Sequence, residues 1–94
     1  MDNFYDVIYK YELKPDDNII NIPQNAKIIS AESQNNNVVI YALVNKSENR
    51  TKEVMIRVFG TGHIINTDIL TYTFLNTIKM YNDSLVFHIF YKYL

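Results

Sequence analysis

The chain has 94 residues, a net charge of −1, and no cysteine or tryptophan. That length holds one domain around one core, and the lack of cysteine excludes a disulfide scaffold, a thiolate zinc site and a thiol nucleophile. Nine basic residues stand against ten acids without clustering, which argues against a duplex nucleic acid held through its phosphates.

The opening stretch MDNFYDVIYKYEL lacks the basic start of a signal peptide. The longest apolar run, Val38–Val44, is far shorter than the roughly 20 residues that span a bilayer. Neither a membrane partner nor a cofactor is expected, and the cytoplasm is the expected compartment.

Residues Asp6–Leu13 alternate, with Val7, Tyr9, Tyr11 and Leu13 on one face and Asp6, Lys10 and Glu12 on the other, which predicts a half-buried strand. Lys14–Asp17 reads as a turn with Pro15 in its second position. Asn18–Ile22 is a short extended piece closed by Pro23. Lys27–Gln34 is a third strand, with Ile29 and Ala31 expected inward, and Asn35-Asn36-Asn37 is a turn. Val38–Val44 is apolar on both faces and predicts a central strand covered twice. After a polar loop, Lys52–Phe59 alternates with Val54, Ile56 and Val58 inward, and is expected to form an antiparallel hairpin with Val38–Val44.

Gly60-Thr61-Gly62-His63 interrupts the pattern. Asp68–Met80 follows, with Leu70, Tyr72 and Phe74 alternating against Thr71 and Thr73. A strand is expected there in preference to a helix opened by Asp68. A turn at Tyr81–Ser84 leads to a last strand, Leu85–Leu94, paired with the one before it. The expected fold is all-β: one domain over residues 1–94, a small antiparallel sandwich or partly open barrel of about six to seven strands. The last strand is apolar on both sides, with Leu85, Phe87, Ile89 and Tyr91 on one and Val86, His88 and Phe90 on the other. A domain with one interior hides one of these faces, so a segment of the same chain or a second subunit is expected over the other, and the protein is expected to be a homo-oligomer.

Both glycines of the protein fall in Phe59–Ile65. They either form a tight corner or present N–H groups to an anion. The third glycine, the lysine and the helix of a dinucleotide or phosphate loop are missing. His63 and His88 are the only histidines and have no metal-site spacing, so no metal is expected. Ser30, Ser33, Ser47 and Ser84 lack a nucleophile's context, and Asp16 and Asp17 are adjacent in a turn, so no catalytic residue is expected. Tyr9, Tyr11, Tyr91 and Tyr93 are either core residues or a platform for bases. The candidate contact residues are Gly60, Thr61, Gly62, His63, Arg57, His88 and Phe90.

The strings Y-K-Y-E-L, I-P-x-x-A-K-I-x-S, I-Y-A-L-V, R-V-F-G-T-G-H and L-V-F-H-I-F, in this order over nearly the whole chain, resemble a family of small proteins of tailed phages and prophages. Members of that family usually carry Trp in place of Tyr41 and a Gly pair in place of Asn82-Asp83. The resemblance brings no activity with it. It implies a phage accessory protein made in the host cytoplasm, and the Ile-, Asn-, Lys- and Tyr-rich composition suits an AT-rich genome. The expected function is non-enzymatic: binding of a host, anti-phage defence or mobile-element protein. The alternatives are an oligomeric sponge for a nucleotide immune signal, with Arg57 or Lys79 beside Gly60–His63, and a minor virion or assembly component.

Overall fold

The computed structural model describes residues 4–14 and 18–94. Among these, the strands are β1 (Val7–Glu12), β2 (Asn18–Pro23), β3 (Lys27–Gln34), β4 (Asn37–Val44), β5 (Thr51–Gly60), β6 (Thr73–Met80) and β7 (Leu85–Tyr93), with a short 3-10 helix at Ile69–Thr71. They form two antiparallel sheets, sheet A in the order β1-β4-β3 and sheet B in the order β2-β5-β7-β6, not closed into a barrel.

The sheets share one interior. Sheet A contributes Ile28, Ala31, Ile40, Ala42 and Val44 to it; sheet B contributes Ile22, Val54, Ile56, Ile78 and Ile89. Ile22, Ile40, Ile56 and Ile89 are fully buried, each contributing about 1.5–3 kcal/mol by leaving water. Branched side chains at every second position suit this pleated packing. The expected inward set of β5 holds, since Val54 and Ile56 are fully buried and Val58 packs against the core.

Several expected features differ in the structure. Val38–Val44 does not pair with Lys52–Phe59. β4 pairs with β1 and β3, and β5 pairs with β2 and β7, because the loop at Asn45–Arg50 carries the chain from one sheet to the other. The hairpin partner of β4 is β3, joined through Asn35 and Asn36 with φ of 52° and 60°, the left-handed pair that a two-residue hairpin needs. Ile29 is 41% exposed, not inward. The pairing shifts between Ile28 and Ser30, and the extra residue turns Ile28 and Ala31 inward in its place.

Tyr9 is exposed, because β1 is an edge strand packed chiefly against β4. Strand β6 begins only at Thr73, and Leu70, in the 3-10 helix before it, is 92% exposed. The cover over β4 is made of side chains. Val39 is buried on its outer side, and Lys10 Nζ donates to Gln34 Oε1 at 2.8 Å, linking β1 to β3 across the strand. The expected turn at Lys14–Asp17 lies, apart from Lys14, outside the described residues.

Two asparagines hold the sheets in register. Asn18 is buried; its Oδ1 accepts from Lys14 N at 2.9 Å and its Nδ2 donates to Lys14 O at 3.0 Å, imitating a strand neighbour where the chain passes from β1 to β2. Asn76 Nδ2 donates to Ala31 O at 2.8 Å, joining β6 to β3 where the sheets meet. Removing the Asn18 amide leaves polar backbone without its partner, which costs about 1–3 kcal/mol. Asn18→Ala is therefore expected to lower the unfolding free energy by that amount, read as a lower urea midpoint with an unchanged m-value; an unchanged midpoint contradicts the latch.

Candidate functional site

The outer side of sheet B carries Met55, Arg57 and Phe59 from β5, Val86, His88, Phe90 and Lys92 from β7, and Phe74, Thr77 and Lys79 from β6, read from the register of the pairs. Phe90 stands in the middle of an aromatic row. Its ring is 6.1 Å from Phe59 and 5.3 Å from Phe74, both edge to face, a geometry favourable to ring quadrupoles.

The connection from Thr61 to Tyr72 folds over part of this side and is tied at both ends. Thr61 Oγ1 is 2.7 Å from His88 Nε2, and Thr77 Oγ1 is 3.0 Å from His88 Nδ1. A neutral imidazole has one donor and one acceptor, and a hydroxyl complements either, so His88 is satisfied on both nitrogens. At the other end, Arg57 Nε donates to Tyr72 Oη at 3.4 Å, Lys92 Nζ lies 5.6 Å from the Tyr72 ring, and it donates to Thr71 Oγ1 at 3.3 Å.

Between these ties lies a recess of about 240 Å³. Six of the seven candidate contact residues line it: Gly60, Thr61, Gly62, His63, His88 and Phe90. Arg57 does not, being turned to Tyr72, and neither does Lys79, which lies opposite Val86. Phe59, Ile65 and Phe74 complete the wall, and sequence reasoning did not single them out. The alternation of Phe74 with Thr73 was their one signal.

The two glycines have different reasons. Gly62 takes φ of 85°, open to glycine and strained for other residues. Gly60 makes room for the His63 ring, since a Cβ there would lie 2.7 Å from its Cε1 and Nδ1. Thr61 N donates to Val86 O at 3.2 Å and His63 N to Gly60 O at 3.1 Å, so two N–H groups of the loop are already used and do not face an anion. Among the described residues, no group of three or more His, Cys, Asp or Glu side chains could hold a metal ion.

The four tyrosines considered as a base platform are split between the sheets, Tyr9 and Tyr11 on β1 and Tyr91 and Tyr93 on β7. Tyr91 and Tyr93 stand edge to face at 5.3 Å and line a second, wider recess of about 440 Å³ at one end of the sandwich, together with Phe4, Tyr5, Lys27 and Lys52. Lys52 shares the parity of Val54 and Ile56, so the alternation of β5 already pointed this cation inward. Burial lowers its pKa from the ordinary 10.5. Burial raises the Tyr11 pKa, helped by Tyr9, and raises that of Tyr93 although the Ile28 N–H bond to its oxygen opposes the shift.

The fold and its recesses define a small open β-sandwich with an aromatic outer side and a cationic, ring-lined end. The chain belongs to the family described as a domain of unknown function, DUF7352, which it matches over residues 5–94. No curated protein and no solved structure shows significant similarity to it. Among the described residues, no helix is long and apolar enough to cross a membrane.

Substitutions separate the two glycines. Gly62→Ala is expected to cost about 1 kcal/mol through its backbone. Gly60→Ala costs less, because the exposed His63 ring can swing aside. Thermal melts check the order, and a larger loss for Gly60→Ala contradicts it.

Tyrosines with raised folded pKa values give stability that is complete below the unfolded value of 10.0 and is lost as pH rises through the folded value. Lys52 acts oppositely, its unfavourable burial being relieved as pH approaches 10.5. With two tyrosines against one lysine, the urea midpoint is expected to fall above pH 10, and less steeply in Tyr11→Phe. Equal slopes would remove Tyr11 as a cause.

Proposed function

We propose that the protein is a phage-encoded, non-enzymatic binding module that docks a host, anti-phage defence or mobile-element protein on the outer side of sheet B. The observation that carries this reading is the row Phe59–Phe90–Phe74, which the connection folded over part of that side leaves partly accessible. Phe74 is 53% exposed, Ile65, which lines the same recess, is exposed, and so are Ile64 and Leu70 elsewhere on the connection. Contiguous exposed apolar groups of this kind mark interaction surfaces, and aromatic anchors dominate their energetics.

The chemistry of the partner follows from the rim. Arg57, Lys79 and Lys92 lie on this side, and Asp68 is the one acid of the covering connection. A partner with an apolar centre and an acidic border complements it. The phage setting rests on the resemblance of the five sequence strings, and the non-enzymatic reading on side chains whose arrangement is explained by packing.

Affinity capture from lysate of the infected host tests the reading. The wild-type chain is expected to retain one partner in stoichiometric amount, and Phe74→Asp, at an exposed position that leaves the melting temperature in place, is expected to lose it. Recovery of no partner, or equal recovery by both chains, overturns the proposal.

A further inference from the structure

We infer that the recess at the end of the sandwich, lined by Tyr5, Tyr91, Tyr93, Lys27 and Lys52, binds a nucleoside phosphate. This site lies on the inner side of β7, away from the Phe59–Phe90–Phe74 row on its outer side, and stands independently of the docking reading.

The recess measures about 440 Å³, within the roughly 300–1,000 Å³ of small-molecule sites. Its lining residues include four aromatics, two lysines, Gln24 and Asn25, and no acidic residue. The Lys52 ammonium is 3.9 Å from the centre of the Tyr93 ring, and among the described residues no carboxylate pairs with it. A partly buried cation that meets a ring but no carboxylate remains available to pair with an incoming anion. Burial lowers the Lys52 pKa in keeping with that environment.

The rings are built to stay in place. Ile28 N donates to Tyr93 Oη at 3.1 Å, fixing the far end of that side chain to sheet A, and Tyr91 braces it edge to face. Tyr93 remains 39% exposed and Phe4 52% exposed, so ring surface faces the recess opening. A bare phosphate would leave those rings uncovered, and a neutral aromatic molecule would leave the ammonium groups unmatched. A flat base joined to a phosphate satisfies both, with the amides of Gln24 and Asn25 free to bond the edge of the base. The recess fits one such unit, which is either a free nucleotide or a nucleotide of a single strand.

The test is titration calorimetry with AMP, GMP, CMP, UMP, inorganic phosphate and a thymidylate decamer, followed by amide shifts in labelled protein. At least one nucleotide is expected to bind saturably, shifting the amides of Gln24–Lys27, Lys52 and Tyr93. Lys52→Met is expected to weaken it about tenfold or more, and Phe74→Asp to leave it unchanged. Tighter binding of the decamer than of any mononucleotide assigns the site to a single strand, and the reverse to a free nucleotide. No saturable binding of any nucleotide at about 1 mM overturns the inference, as does binding that Lys52→Met leaves intact or inorganic phosphate binding as tightly as the nucleotides.

Discussion

Everything in this molecule is subordinate to the contact between the inner faces of its two sheets. Ile40 from one sheet meets a layer that includes Ile22, Ile56 and Ile89 from the other, and these side chains are withdrawn from water completely. A chain this short makes only one such layer. Apolar residues of opposite parity are covered elsewhere or left in water, as Ile8 and Ile19 are, and the cover differs by place. Over β4 it is a lysine–glutamine bridge above Val39. Over β7 it is the Thr61–Tyr72 connection, tied down by His88, Arg57 and Lys92. At the margin of that connection Phe74 stays half in water.

Strand β7 shows how one pattern serves two chemistries. Its odd-numbered residues Phe87 and Ile89 pack in the interior and are followed by Tyr91 and Tyr93, the latter with the Lys52 ammonium over its ring at the end of the sandwich. Its even-numbered residues include His88 and Phe90, which hold the connection and centre the aromatic row. The two sides are separated by the thickness of a sheet, so each can be altered by substitution without touching the other.

The strands themselves were legible because branched and aromatic residues alternate with polar ones, clearest in Val54, Ile56 and Val58. What alternation does not encode is which strand lies beside which. Val38–Val44 and Lys52–Phe59 are neighbours in sequence, and the loop between them is short enough for a hairpin, yet it turns a corner between sheets. The bulge at Ile29 was equally hidden, since one added residue reverses the facing of all that follows without changing composition. At the candidate site, the glycine pair and His88 were visible as separate oddities. That Thr61 and His88 touch depends on β5 and β7 being adjacent, a tertiary fact. Lys52 was overlooked although its parity was plain, because a charged residue at a strand end is ordinarily taken to face outward.

The order of the strands also governs how the chain finds its shape. Each sheet contains one pair of neighbours in sequence joined by a tight turn, β3 with β4 and β6 with β7, and the left-handed Asn35-Asn36 and Tyr81–Asp83 backbones predispose those turns. The outermost strands arrive from far away, Val7 meeting Val44 and Asn18 meeting Ile56. Closing such long loops costs entropy before any contact repays it, which favours the two local hairpins over the distant pairings of β1, β2 and β5.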